Sequence, residues 1–166
     1  MTTGLMLPPE LGGLLNTLGF SWPQGDEGKI FDLAGEWIAF GGQLSSSVDD
    51  AHSQANAVWT NNMAEAVDRF REYWNGPDAP RSNLADGATA ATMVGAGLYV
   101  CAGVLLALKV AVIAQLVALA IQIAQAIATA AVTFGASLAQ IPIFRQITKT
   151  LLDMALDVAI NALLNV

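Results

Sequence analysis

The chain has 166 residues, of which 54% are hydrophobic and only 13% charged, against roughly 45–50% and 25% in an average soluble domain. A net charge of −7 with no basic patch argues against nucleic acid and against charge-driven docking on anionic lipid. The single cysteine, Cys101, excludes an intrachain disulfide and a cysteine-based zinc spacing.

In chain order, Pro8-Pro9-Glu10-Leu11 predicts a helix start, with proline in the first turn and an early acid facing the helix dipole. Leu11, Leu14, Leu15 and Leu18 form one apolar face, and Gly19 is the expected stop, so a short helix is predicted over 9–19. Gly19 to Asp26 then reads as a turn carrying Phe20 and Trp22, with Asp26 placed to cap the next helix. From 27 to 74 an apolar period near 3.5 predicts one long helix. Its seam runs through Ile30, Ala34, Trp37, Leu44, Val48, Ala51, Ala55 and Val58, then Trp59, Met63, Ala66, Phe70 and Trp74. Gly41-Gly42 and Ser45 to Ser47 are poor helix formers and mark the expected weak point. Asn75-Gly76-Pro77-Asp78-Ala79-Pro80 ends the helix, with Gly76 as a left-handed cap and Ser82 or Asn83 capping the next. A second long helix is predicted over 83–140. It is nearly all apolar: Lys109 is the only charge from Gly87 to Phe144, and Gln115, Gln122 and Gln125 are its main polar residues. Gly135 is a candidate bend. An amphipathic helix over 143–165 closes the chain, with Ile147, Leu151, Met154 and Val158 near one face.

The charge is uneven. Residues 1–86 hold twelve acids and four bases, whereas residues 87–166 hold Asp153 and Asp157 against Lys109, Arg145 and Lys149. The first base is Lys29, so the start does not read as a conventional cleavable signal peptide. No catalytic constellation is readable: His52 beside Asp49 and Asp50 reads as a solvated histidine, Cys101 as a small core residue, and Gly95-Ala96-Gly97 lacks the strand a phosphate loop needs. No cofactor or metal is expected.

The triplet Trp74-Asn75-Gly76 stands between a long helix and a proline-containing turn. Together with Leu7-Pro8-Pro9-Glu10-Leu11, the string Gly19-Phe20-Ser21-Trp22-Pro23-Gln24-Gly25-Asp26, and Ala34 to Trp37, it resembles the WXG superfamily of type VII secretion substrates. More closely, it looks like the WXG-like N-terminal delivery domain of actinobacterial polymorphic toxins. The resemblance implies a non-enzymatic helical module that pairs with small helical WXG-type proteins as a heteromer and travels through a type VII machine, from the cytoplasm to the cell envelope or beyond. It also implies a toxin domain C-terminal to the module in a longer protein. A Tyr-X-X-X-Asp/Glu export signal is absent: Tyr73 is followed at i+4 by Pro77, and Tyr99 by Gly103. The signal is therefore expected in a partner chain or elsewhere in a longer protein.

The expected architecture is a single all-α domain over 1–166, an elongated antiparallel helical hairpin or bundle with a Trp-X-Gly turn. Trp22, Trp37, Trp59, Phe70 and Trp74 are its expected packing anchors. Two readings of residues 87–140 remain open. One is a helix covered by its own hairpin and by partners. The other is a membrane-inserting channel or translocation segment, with Lys109, Gln115, Gln122 and Gln125 facing its interior.

Overall fold

The computed structural model describes residues 4–165, and among these every regular element is helical. They are α1 (Pro9–Thr17), α2 (Glu27–Asn61), α3 (Glu65–Trp74), α4 (Pro80–Thr129), a 3-10 turn (Ala136–Gln140) and α5 (Ile141–Leu164). The fold is an all-α helical hairpin bundle. The chain packs as two units: Met1–Ile30 with Val100–Val166, and Phe31–Tyr99. At 35 and 50 residues, α2 and α4 span about 52 and 75 Å, too long for one core to cover, and each contributes to both units.

In the Phe31–Tyr99 unit, α2 and α4 run antiparallel. Ala34 and Ile38 lie against Gly95, Ala88 and Thr92 against Gly41, and Leu44 against Gly87. The buried row of α2 is Ala34, Gly41, Val48 and Ala55, one residue every seven. On α4 the buried residues Ala88 and Gly95 follow the same spacing, with Ala91 between them. Such a strict heptad keeps one seam of a helix on its partner, and its small residues bring the backbones together. A Cβ on Gly95 would lie 2.8 Å from the Ala34 carbonyl oxygen, and one on Gly41 2.8 Å from that of Ala88. The expected weak point at Gly41-Gly42 is therefore an unbroken stretch of α2, held where α4 approaches most closely.

The predicted helix over 27–74 is instead two helices, broken at 62–64. The Asn61 and Asn62 side-chain amides donate to the Ala57 and Val58 carbonyls at 2.8 and 2.7 Å, competing for the last carbonyls of α2. Ala64 is then extended (φ −133°, ψ 145°) and α3 begins. The chain folds back: the Trp59 and Phe70 rings lie 5.8 Å apart, whereas eleven residues of straight helix would separate them by about 16 Å.

In the other unit, Leu11, Leu15 and Leu18 of the α1 segment close on Val112, Leu116 and Leu119 of α4 and Leu152 of α5. Burying each leucine contributes about 1.5–3 kcal/mol. Gly19 stops α1 as the sequence predicts, at φ 87°. The Gly19 N–H donates to Asn16 and the Phe20 N–H to Leu15, the paired bonds of a Schellman cap. The helix predicted over 83–140 starts earlier, with Pro80 in its first turn, and ends earlier, at Thr129. Ser82 caps nothing; its hydroxyl donates to the Gly76 carbonyl. At the far end, the Thr133 hydroxyl donates to the Thr129 carbonyl and the Ser137 hydroxyl to that of Ala126, competing for the helix's final carbonyls. Phe134 and Gly135 then take left-handed conformations and turn the chain toward α5.

The two neighbouring glycines of α2 should respond oppositely to the same substitution. Gly41→Ala, whose added Cβ would lie 2.8 Å from the Ala88 carbonyl oxygen, should cost about 1–3 kcal/mol by overpacking. Gly42→Ala, with nothing within 4 Å of its added Cβ, should gain about 0.5–1 kcal/mol. Urea denaturation of the two variants measures both.

Candidate functional site

Two helix-terminal turns and one exposed helix face are the places where the sequence motifs converge. At the first turn, the chain leaves α1 through Phe20 and Trp22, which pack on the leucine core. Asp26 accepts the Lys29 N–H at 3.1 Å and caps α2, as predicted. Backbone and side-chain bonding to Lys29 outweigh desolvation and lower the Asp26 pKa. The first residue of α2, Glu27, is only 4% exposed, and Lys109 of α4 only 2%.

Lys109 Nζ lies 2.6 Å from Glu27 Oε2, 2.7 Å from the Gly25 carbonyl and 3.0 Å from the Leu5 carbonyl. Each of its three N–H groups therefore has an acceptor. The other Glu27 oxygen accepts the Leu5 N–H. Trp22 adds its ring face 5.6 Å from the ammonium. Burial works against the ionised Glu27 carboxyl, but the Lys109 ammonium and the Leu5 N–H outweigh it and hold its pKa below the ordinary 4.5. Lys109, expected as an interior or pore-lining polar residue, lies buried as a clamp joining residue 5, the start of α2 and the middle of α4. Gln115 and Gln122 are half-buried and Gln125 is exposed; the structure does not gather them with Lys109.

The second turn holds Trp74-Asn75-Gly76. The Trp74 indole N–H donates to His52 Nδ1 at 3.1 Å, which places the histidine's own proton on Nε2. Phe70 lies 5.8 Å from Trp74 and His52 6.1 Å from Trp59, so four rings form one cluster. His52 is thus part of the clamp rather than a solvated side chain. Trp59 and Phe70 belong to the same cluster. Asn75 caps α3 with its own amide, donating to the Arg71 carbonyl at 2.8 Å. Gly76 is not left-handed, against expectation: among the described residues positive φ occurs at Gly19, Phe134 and Gly135. Its missing side chain matters for space instead, since a Cβ would sit 3.3 Å from the Tyr73 carbonyl oxygen.

Trp37 is the expected anchor that the structure places elsewhere. It is 37% exposed, meets Phe40 edge-on at 6.1 Å, and shares with Leu33 and Phe40 a shallow groove of about 270 Å³. The spacing 33–37–40 puts all three on one helix face. Ala34 and Gly41, one residue further on, turn inward instead. The seam read from apolarity alone swept both faces together because alanine and glycine carry little hydrophobic signal.

The elements build a helical hairpin with a Trp-X-Gly turn. A family model described as the WXG100 like domain matches residues 8–151, and the chain belongs to that family. The family is related to type VII secretion and export; its members are generally non-enzymatic secreted helical proteins that usually form helical heteromers or homodimers. Neither a curated protein nor a solved structure matches the chain.

Removing one partner of the buried clamp should be far worse than removing both. Lys109→Met strands a carboxylate and should cost about 3–5 kcal/mol, whereas Glu27→Met with Lys109→Met should recover most of that loss. Thermal and urea melts measure it. Because Glu27 has its folded-state pKa lowered, its contribution is complete above 4.5 and is lost as pH falls through the lower folded-state value. The wild type should therefore lose stability on acidification below that point, and Glu27→Gln should remove this component of the pH profile. At the second turn, a double-mutant cycle with Trp74→Phe and His52→Ala should give a coupling of about 0.5–1.5 kcal/mol.

Proposed function

We propose that this chain is the targeting domain of a type VII secretion toxin-like substrate, and that it pairs with a small helical WXG-type protein to become export-competent. The observation that carries the reading is the Leu33-Trp37-Phe40 face of α2, exposed at 44%, 37% and 50%. Large apolar residues at i, i+4 and i+7 are the anchors by which one helix engages another. In the same Phe31–Tyr99 unit, Met93 of α4 is also an exposed apolar residue. In this reading the Lys109 clamp and the Trp74 cluster hold the helices in place, the partner covers the aromatic face, and a toxin domain follows in a longer protein. The chain itself performs no chemistry.

A second reading rests on α4. An 18-residue window of that helix reaches a mean hydropathy of 2.6, and only 22% of the window is buried. Its length suffices to cross a bilayer, which supports a membrane-inserting segment. Insertion would have to separate Lys109 from Glu27 or carry both charges into hydrocarbon, a cost that favours the partner-covered helix.

Co-expression with small helical WXG-type proteins encoded beside the gene tests the first reading. A stable complex is expected from the wild type, and Trp37→Glu with Phe40→Glu should lose it while helicity by circular dichroism stays unchanged. Undiminished recovery of the double variant would remove the α2 face from the argument. Dye release from liposomes by the folded chain, in the absence of any such complex, would instead favour the second reading.

A further inference from the structure

The turn between α4 and α5 holds a bulky residue in a strained conformation. Phe134 has a φ of 51°, in the left-handed region that crowds the Cβ of every residue but glycine. The Gly135 N–H donates to the Ala130 carbonyl at 2.8 Å, the six-to-one bond of a Schellman cap. Phe134 therefore stands where a helix end usually places glycine, and glycine would hold the same turn without strain. Its ring gains no packing from the fold: Phe134 is 99% exposed and Val132 82%. Strain that no contact within the chain offsets points to a contact outside it.

The tip at residues 130–135 is suited to apolar surroundings. The N–H groups of Ala130, Val132, Thr133, Gly135 and Ala136 are all bonded to carbonyls of residues 127–133. The Thr133 hydroxyl donates to the Thr129 carbonyl at 3.0 Å. A turn whose donors are satisfied internally can leave water without stranding them.

Charge selects what the tip meets. Between Lys109 and Asp153 the only charged residues are Arg145 and Lys149, and both are exposed. They stand about 6 and 12 Å along α5 from its start at Ile141. Side chains of a helix lean toward its N-terminus, so both cations lean back toward the tip. Asp153 and Asp157 lie about 18 and 24 Å along the same helix, away from it. The leucines of α1, the helix that carries Glu10, pack on α4 between Val112 and Leu119, about 15 Å or more short of Thr129. An apolar apex, then cations, then acids follows the order in which a phospholipid surface presents acyl chains, phosphates and water. A convex tip also enters a fluid lipid layer without needing a preformed pocket.

We infer that the α4–α5 turn is a membrane-contact tip: Phe134 and Val132 enter the interfacial region of a phospholipid bilayer while Arg145 and Lys149 meet lipid phosphates. Apolar insertion supplies the association, because two cations alone would not hold a chain of net charge −7 on an anionic surface. Immersion is shallow, about 5–10 Å. Lys109 lies about 30 Å before the end of α4 at Thr129, so its pair with Glu27 stays intact. The contact therefore differs from insertion of α4, and it does not rest on the partner-pairing reading.

Co-sedimentation of the full chain with phosphatidylcholine vesicles, and with vesicles carrying added phosphatidylglycerol, tests it. The wild type should sediment with both, and more with the second. Phe134→Gly should bind roughly tenfold or more weakly, yet melt at the same or a higher temperature, because glycine relieves the turn. R145E with K149E should lose the preference for phosphatidylglycerol and remain folded, since both side chains are exposed. In a Cys101→Ser background, a nitroxide on Val132→Cys should report shallow immersion, one on Val117→Cys should stay in water, and entrapped dye should be retained. The inference falls if the wild type stays in the supernatant with both vesicles, or if Phe134→Gly binds as the wild type does. It falls equally if the charge reversal leaves the lipid preference unchanged. Immersion of the nitroxide at residue 117, which signals insertion of α4, or capture of the tip by a helical protein and never by lipid, also overturns it.

Discussion

The ion pair between Lys109 and Glu27 is the constraint on which the packing of the Met1–Ile30 and Val100–Val166 unit turns. Two charges that are almost wholly removed from water impose a desolvation cost, and the cost is offset only by near-complete hydrogen bonding. The chain supplies that bonding from two segments: the Leu5 backbone, and the Gly25 carbonyl with the Glu27 side chain at the start of α2. The same interaction therefore fixes the N-terminal segment, the first turn of α2 and the register of that turn along α4. Lys109 occupies a position in the seven-residue row that Ala102 and Leu116 also occupy. A slip of the α2 start by one heptad would bury the ammonium against no carboxylate. A polar residue at one such position is a known way of specifying register at some expense of stability.

Much of the architecture was legible in the residues. The leucine face of α1, its Gly19 stop, the Asp26 cap and the all-α class follow from local patterns whose physics is short-ranged. Features that depend on what a residue meets across space were not. Gly41 looks like a helix weakness in one dimension and is a helix-contact residue in three. Asn61 and Asn62 read as ordinary polar positions, yet their amides take over the α2 carbonyls and turn the chain back. Of the strict heptad row Ala34, Gly41, Val48 and Ala55, the predicted seam held all but Gly41, which carries no apolar side chain to register, and mixed the row with outward residues such as Trp37.

The candidate surfaces divide in the same way. Trp74 and the Phe20-Ser21-Trp22-Pro23 turn are visible as strings and turn out to be clamps that position helices. Trp37 was grouped with them by its periodicity, but it faces outward beside Phe40. A tryptophan on the outer face of a helix leaves the same trace in a linear pattern as one on the inner face when the neighbouring inner residues are alanine and glycine.

The bond between Trp74 and His52 makes the chain's only imidazole a local reporter. Acceptance of the indole hydrogen at Nδ1 selects one tautomer, and tautomers differ in their ring nitrogen resonances. A chain labelled only at histidine would give a single imidazole signature, readable even within a large assembly. Its tautomeric state would tell whether the Trp-X-Gly turn stays docked on α2 when the protein meets a partner or passes through a secretion channel.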